Sequence, residues 1–310
     1  MPLDPIAQQM VDDMHASDRP NAHLLPVEVA RQNFEEAFAS LFKPEVAVVE
    51  DLHLTARDGT RLRARLYKPS NADAMPVTIY FHGGGWLLGS VDSHDVTTRR
   101  LALASGAAVL SVDYRRGPDA RFPTAVNDAI DAVTHVLKHG SSMGLDASRL
   151  AIAGDSAGGN LAAAAVNHFT REGETSVRHQ LLIYPVSTCD IEKGFDMTYE
   201  GIMLYRDEIQ WHQDNYLPDP SHSSDPRVSV LCDDLTGAPE ATVILAECDP
   251  IRPQGVLYAE ALRSHGVKVE VHETEGMLHG FFGLDELFPS ASAAMEFAGA
   301  RLAAALKGAD

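Results

Sequence analysis

From residue 76 onward, short apolar segments alternate with amphipathic segments of helical period. Near-continuous apolar segments are typical of strands that are covered on both faces, as in a parallel sheet. The pattern predicts strands at 76–81, 107–114, 150–155, 180–186, 241–248 and 268–274. It predicts helices at 93–104, 123–139, 157–172, 253–265 and 290–306. This order indicates the α/β class, with a mostly parallel sheet and helices on both of its faces.

The chain before this alternation has two further patterns. Residues 1–45 carry apolar side chains at helical spacing in two stretches, with Pro20 and Pro26 between them, so two helices are predicted. Residues 46–67 predict an antiparallel hairpin, because two strand-like segments flank the turn dipeptide Asp58-Gly59. The hairpin brings the expected sheet to eight strands.

One later segment, residues 187–235, interrupts the alternation. It is polar, predicts no strand, and carries only a short helical pattern at 205–216. We interpret it as an insertion above the carboxyl-terminal edge of the sheet. The expected division is therefore a helical segment (1–45), an α/β domain made of 46–186 and 236–310, and the insertion.

Two stretches match the pattern Gly-x-Ser-x-Gly, which is a weak signal without its structural context. Residues 140–144 follow a predicted helix and lie in a polar loop, so Ser142 is interpreted as an ordinary loop residue. The second match, from Gly154 to Gly158, joins an apolar strand to an alanine-rich helix. Its glycines allow a sharp turn that raises Ser156 above the sheet edge. Ser156 is the predicted nucleophile, and a capping serine in a plain turn is the alternative.

A nucleophilic serine needs a base and an orienting acid, which in such sheets come from loops at the carboxyl ends of strands. Asp249 ends the strand 241–248, and His279 lies in a glycine-flanked loop after the next strand. The order Ser156, Asp249, His279 is the order of hydrolases with this arrangement of strands. Glu247 is a rival acid, but its place within the strand makes it less suitable than the strand terminus.

The loop after the first apolar strand reads His-Gly-Gly-Gly-Trp, at residues 82–86. Three successive glycines weaken a local fold, so they indicate a backbone that must approach a ligand closely. The pattern matches the oxyanion loop of lipases and esterases, and we predict Gly83, Gly84 and Ala157 as the N–H donors. A phosphate-binding loop is the alternative, but no Gly-Lys-Ser/Thr and no Gly-x-Gly-x-x-Gly pattern fits.

The charged composition disfavours some partners. The chain carries 44 acidic and 25 basic side chains, for a net charge of −19. Such a charge repels phosphate backbones and anionic lipid surfaces, so no nucleic-acid partner is expected. Cys189, Cys232 and Cys248 are widely spaced and form no Cys-x-x-Cys pair. They are predicted to be reduced thiols rather than disulfides or zinc ligands.

Neither a membrane span nor a secretory signal is predicted. No apolar run approaches the roughly 20 residues that cross a bilayer. Asp4, Asp12 and Asp13 interrupt the first residues, where a signal peptide would need an apolar core. With reduced cysteines, these features lead us to expect a cytoplasmic protein.

Together these motifs resemble those of the bacterial hormone-sensitive-lipase-like esterases, the family IV carboxylesterases of the α/β-hydrolase superfamily. The resemblance covers nearly the whole chain, and its supporting motif residues are His82, Gly85, Gly154, Asp155 and Gly158. Two segments differ from the family pattern. Residues 114–119 read Tyr-Arg-Arg-Gly-Pro-Asp where members often have Tyr-Arg-Leu-Ala-Pro-Glu, and residues 253–255 read Pro-Gln-Gly where members often have Asp-Glu-Gly.

The resemblance implies a serine carboxylesterase that hydrolyses short- to medium-chain acyl esters through an acyl-enzyme, without a metal or an organic cofactor. It implies a small-molecule ester as the binding partner, and a homodimer. It also implies that residues 1–45 and 187–235 form a helical cap and that Trp86 shapes the substrate pocket. The acidic surface favours neutral esters over anionic ones, unless Arg206 or Arg252 lines that pocket.

Two other functional classes stay open at this point. An amidase, a lactonase or a peptidase would use the same three residues, because they do not select the leaving group. A non-catalytic receptor for a small ligand is known on this scaffold, but such receptors lack a working histidine, whereas His279 is present here. A dehydrogenase is excluded, since no dinucleotide fingerprint follows any predicted strand.

Overall fold

The computed structural model describes residues 2–308 of the chain and contains one sheet of eight strands. The strands are β1 (Val48–Thr55), β2 (Arg61–Lys68), β3 (Met75–Phe81), β4 (Ala108–Val112), β5 (Leu145–Asp155), β6 (Val177–Ile183), β7 (Glu240–Ala246) and β8 (Val269–Thr274). The α-helices of the described residues are α1 (Pro5–Ala16), α2 (Val27–Ala39), α3 (Asp95–Ser105), α4 (Thr124–His139), α5 (Ala157–Arg171), α6 (Ile191–Gly194), α7 (Arg206–Tyr216), α8 (Arg252–Ser264) and α9 (Pro289–Ala305).

The strand order across the sheet is β1-β2-β4-β3-β5-β6-β7-β8. Strands β1 and β2 form the predicted antiparallel hairpin, and β2 also pairs antiparallel with β4. All remaining neighbours pair in parallel. Gly59 in the hairpin turn has φ of 85°, a conformation that glycine adopts at no steric cost. The predicted fold class, a mostly parallel eight-stranded α/β sheet, is confirmed.

Helices cover both faces of the sheet, and the strand side chains alternate between the two layers. In β3, Ile79 and Phe81 join the core cluster that includes α4, α5 and α8. The intervening Tyr80 joins the opposite cluster, which includes α1, α3 and α9. Because both faces are buried, the strands must be apolar along their whole length, which explains the continuous apolar segments in the sequence.

The insertion contains no strand, as predicted, and consists of α6, α7 and short 3₁₀ turns. Helix α1 contacts both the sheet domain and this insertion. At its start, the backbone N–H of Asp4 donates to the carbonyl oxygen of Gly276 over 2.9 Å. At its end, Nε2 of His15 donates to the carbonyl oxygen of Gly201 over 3.0 Å. The Trp211 side chain of α7 packs against a small buried cluster made of Ala30 of α2 with Leu87 and Leu88.

Within residues 2–308, no helix combines the length and the apolar character that a bilayer crossing requires. The same residues form no cluster of three or more side chains suited to hold a metal ion.

Candidate active site

Ser156 lies between the last residue of β5 and the first residue of α5, in a strained conformation with φ of 54° and ψ of −120°. Such a conformation costs a non-glycine residue about 1–3 kcal/mol, so the surrounding structure must impose it. The Ser156 N–H donates to the carbonyl oxygen of Ile183 over 2.8 Å. A Cβ atom placed on Gly158 would overlap the carbonyl oxygen of Phe81, so only glycine fits there. The turn therefore presents Ser156 at the carboxyl end of the sheet, where its side chain stays partly accessible.

The structure brings Ser156, His279 and Asp249 into one chain of hydrogen bonds. Nε2 of His279 lies 3.0 Å from Oγ of Ser156, and Nδ1 lies 2.7 Å from Oδ2 of Asp249. Asp249 is fully buried, and its other oxygen accepts a hydrogen bond of 2.8 Å from the N–H of Ile251. Because a carboxylate only accepts, Nδ1 must carry the hydrogen, and the Nε2 lone pair faces the serine hydroxyl.

The rival residues from the sequence have other partners. Glu247 accepts a hydrogen bond of 2.8 Å from the backbone N–H of Gly276, so it supports the loop that carries the histidine. Ser142 lies in a 3₁₀ turn rather than at a strand end, and its hydroxyl donates to the carbonyl oxygen of His139 over 2.7 Å. Neither side chain takes part in the hydrogen-bonded chain of Ser156.

The oxyanion loop requires a correction at Gly83. Its backbone N–H donates to Oδ1 of Asp155 over 2.9 Å, so this group is already bonded and is not available to a substrate oxygen. Within residues 2–308, the N–H groups of Gly84, Gly85 and Ala157 have no hydrogen-bond acceptor. Gly84 and Ala157 therefore stay as predicted donors, and Gly85 replaces Gly83 as the third.

Asp155 anchors this loop from a buried position beside the nucleophile. Its Oδ1 also accepts a hydrogen bond of 2.7 Å from the hydroxyl of Tyr80, and Nε2 of His94 lies 3.5 Å from its Oδ2. Burial raises the pKa of Asp155, but His94 and the Tyr80 hydroxyl outweigh burial and hold the pKa below its usual value. An ionised carboxylate is thus stable here and can hold the Gly83 N–H.

The two aromatic motif residues of the loop pack into the protein interior. The His82 ring stacks on Tyr114 at a centroid distance of 4.3 Å, and burial lowers the pKa of His82, which favours a neutral ring. Trp86 is only 3% exposed and stacks on Tyr216 of α7 at 4.6 Å with 5° between the planes. The structure therefore shows Trp86 as a contact between the oxyanion loop and the insertion, and its role in shaping a pocket stays a prediction.

Three side chains near the site were not predicted. Tyr184, at the carboxyl end of β6, packs its ring against His279 at a centroid distance of 4.6 Å. The strand predicted at 180–186 includes Tyr184, whereas β6 ends at Ile183, so the sequence did not mark Tyr184 as a residue at a strand end. Glu208 and His212 lie on α7, where the polar sequence of the insertion gives no signal, and His212 fills the space beside Gly85.

A sequence profile of the α/β-hydrolase fold family matches residues 78–283, which include every residue of the hydrogen-bonded chain. The chain belongs to the α/β-hydrolase fold family. The match extends from β3, which leads into the oxyanion loop, to the loop after β8, which carries His279.

Characterised α/β hydrolases are similar to this chain over most of its length. An ethyl acetate hydrolase of Pseudomonas putida is 37% identical over 277 residues, which is 87% of each chain. A carboxylesterase of Mycobacterium tuberculosis is 35% identical over 279 residues, or 86% of each chain. The solved structure of a hyperthermophilic esterase from Pyrobaculum calidifontis superimposes with a TM-score of 0.91 at 35% identity, covering 98% of this chain and 99% of that one. The resemblance to hormone-sensitive-lipase-like esterases is therefore confirmed.

Proposed function

We propose that this chain is a serine carboxylesterase that hydrolyses short- to medium-chain acyl esters through an acyl-enzyme. The observation that carries the proposal is the chain of hydrogen bonds from Ser156 through His279 to Asp249. The names of the similar proteins, an ethyl acetate hydrolase and carboxylesterases, support carboxylic esters as the substrate class.

In the acylation step, Oγ of Ser156 attacks the ester carbonyl carbon while Nε2 of His279 takes the hydroxyl proton. The carbonyl oxygen becomes an oxyanion, which accepts hydrogen bonds from the N–H groups of Gly84, Gly85 and Ala157. Asp249 stabilises the positive charge on the imidazole of His279 and holds the hydrogen on its Nδ1. The intermediate then collapses, the bond to the alcohol oxygen breaks, and His279 gives its proton to the leaving alkoxide.

Deacylation repeats the sequence with water in place of the alcohol. His279 takes a proton from water as the water oxygen attacks the acyl carbon, and the same oxyanion donors hold the second tetrahedral intermediate. Collapse of that intermediate returns the proton to Oγ of Ser156 and releases the carboxylic acid. The groups named supply the nucleophile, the base and the charge stabilisation that the reaction needs.

The insertion and the N-terminal helices are part of the proposal. We propose that residues 1–45 and 187–235 form a cap over the site, and that 46–186 and 236–310 form the catalytic domain. The hydrogen bond from His15 to Gly201 and the packing of Trp211 support a single cap made of both segments. A homodimer and a cytoplasmic location are further proposals. Sedimentation velocity at micromolar concentration tests the first, and cell fractionation tests the second.

A fluorophosphonate probe, which reacts with activated serines, tests the proposed nucleophile. The wild-type chain should be labelled and should hydrolyse p-nitrophenyl butyrate. Ser156→Ala should lose the label and at least roughly 10⁴-fold in kcat. Ser142→Ala is the matched control, since it removes the serine of the other Gly-x-Ser-x-Gly match, and it should keep both properties. Labelling of the Ser156→Ala chain would refute the assignment, and faster turnover of the matching anilide would favour an amidase.

A further inference from the structure

Helix α7 presents a glutamate and a histidine, one helical turn apart, on the same face. Glu208 and His212 are four residues apart, and Oε1 of Glu208 lies 4.0 Å from Nε2 of His212. Their side chains are only 12% and 9% exposed. Residues at this spacing are neighbours on a helix, so the two side chains form one polar patch that is largely buried.

This patch borders the reacting groups on two sides. A Cβ atom on Gly85 would overlap Nδ1 of His212, so the imidazole lies directly against the oxyanion loop. On the other side, Glu208 is close enough to His279 for the two to interact electrostatically. One side chain of the patch therefore contacts the proposed oxyanion loop, and the other interacts with the proposed base, so the patch borders the groups that would act on a bound ester.

The protein itself uses only part of the hydrogen-bonding capacity of the patch. Nδ1 of His212 is buried and has no hydrogen-bond partner within the described residues. Burial lowers the pKa of His212 to about 3, so its ring is neutral and offers no positive charge to Glu208. The two arginines considered for the pocket already have acidic partners, because Arg206 pairs with Glu192 and Arg252 pairs with Glu273.

Glu208 also occupies the third position of α7, where a glutamate can cap the helix by accepting from the backbone N–H of Tyr205. Burial raises the pKa of Glu208 to about 7, while the Tyr205 N–H and the charge of His279 act in the opposite direction. A cap needs no such burial, since helix ends are usually capped at the surface. The desolvation of this carboxyl group therefore points to a second role.

We propose that Glu208 and His212 form a recognition subsite that selects esters carrying a hydrogen-bond donor, a hydroxyl or an amino group, near the ester bond. This inference rests on the proposed esterase function and specifies its substrate class. One hydroxyl or amino group can lie about 2.8 Å from both Oε1 and Nε2, because these atoms are 4.0 Å apart. A hydroxyl would donate to Oε1 and accept from a protonated Nε2, whereas an amino group can donate to both atoms. An apolar substrate of the same shape would leave the oxygen of this buried carboxyl group that faces the substrate without a donor, which is costly.

Pairs of esters with matched shape test the subsite on each side of the ester bond. On the acyl side, the ethyl esters of 3-hydroxybutyrate and 3-aminobutyrate are compared with that of 3-methylbutyrate. On the alcohol side, 2-hydroxyethyl acetate is compared with propyl acetate. We expect kcat/KM to favour the donor-bearing ester by about tenfold or more in at least one comparison, as one charge-assisted hydrogen bond would give. On the acyl side, the hydroxy ester and the amino ester together show which of the two donor groups is preferred.

Variants of α7 complete the test. Glu208→Leu should lose this preference and gain activity toward the apolar ester of the pair, and His212→Phe should reduce the preference without touching the helix cap. Glu192→Leu removes an exposed carboxylate of the same insertion and should keep the preference. A wild-type chain that discriminates less than twofold in every comparison, or either α7 variant that keeps the full preference, overturns the inference. Failure of all the esters to react would instead refute the esterase function.

Discussion

The carboxylate of Asp155, the residue before the proposed nucleophile, accepts a hydrogen bond of 2.9 Å from the backbone N–H of Gly83 in the oxyanion loop. The bond fastens two loops that come from different strands, β3 and β5. Because an oxyanion hole works only when its donors are held at the right distance from the nucleophile, this contact sets the geometry of the reaction without touching the substrate.

Removal of the Asp155 carboxylate should therefore lower turnover, because the oxyanion loop would no longer be held in place. We expect Asp155→Ala to lose roughly 10²-fold in kcat, comparable to the loss of one oxyanion donor, with a smaller change in KM. Asp155→Asn should retain more activity, because its amide oxygen can still accept from Gly83. Steady-state kinetics on p-nitrophenyl butyrate measures both variants. A folded Asp155→Ala chain with full kcat would show that the loop needs no such anchor.

The proposed orienting acid is tested by Asp249→Asn. The amide would favour the wrong tautomer of His279, so we expect kcat to fall roughly 10⁴-fold. The circular dichroism spectrum should remain that of the wild type. Glu247→Gln is the matched control, because Glu247 lies two residues away and accepts a hydrogen bond from the Gly276 N–H of the loop that carries the histidine. A larger loss in Glu247→Gln than in Asp249→Asn would reverse the assignment of the acid.

The contact between Gly85 and His212 can be tested by a pair of substitutions. Gly85→Ala places a methyl group where the imidazole lies, and φ of 60° at this position adds strain. We expect a strong loss of kcat/KM. Adding His212→Ala should restore part of the activity, since it empties that space. If the loss of kcat/KM in the double variant, expressed as a free energy, equals the sum of the losses in the two single variants, the two residues do not interact.

Acid should destabilise the fold through His179 of β6. Its Nε2 lies 2.9 Å from Oγ1 of Thr242, and burial lowers its pKa to about 4. Because the unfolded chain binds the proton near pH 6.5 and the native chain does not, stability falls as the pH drops from about 6.5 to 4. The shift corresponds to about 3 kcal/mol at one pKa unit per 1.36 kcal/mol.

Urea unfolding at pH 7.5 and pH 4.5 measures this effect. His179→Gln should show a smaller loss of unfolding free energy between the two pH values than the wild type. His53→Gln, a change at an exposed histidine, should leave the loss as it is in the wild type. Equal losses in all three chains would mean that His179 is protonated in the native state.

Much of this arrangement could be predicted from the sequence, because each part follows from local patterns. The carboxyl ends of parallel strands meet at one edge of the sheet, so motifs after β3, β5, β7 and β8 had to come together. The strand-turn-helix context likewise identified Ser156 rather than Ser142 as the nucleophile, because only Ser156 follows the carboxyl end of a strand. The order of Asp249 and His279 along the chain then matched their positions on neighbouring strands.

Other parts depend on contacts that no local pattern encodes. The sequence cannot tell which of three adjacent glycines has its N–H occupied, because the answer lies in a carboxylate 72 residues away. The helical pattern at 205–216 predicts α7, but it does not indicate that Glu208 and His212 lie beside the site. Strand β5 begins at Leu145 rather than at residue 150, since a register shift in its pairing with β3 lets a polar segment join the sheet.

Helix α1 links the loop that carries His279 to the insertion. One end is bonded to Gly276, three residues before the proposed base, and the other end is bonded to Gly201 of the insertion. The helix therefore joins the histidine loop to the insertion. Any outward movement of the insertion must either break a bond at one end of α1 or pull on the loop of His279, so that access to the proposed site and the alignment of the proposed base are mechanically coupled.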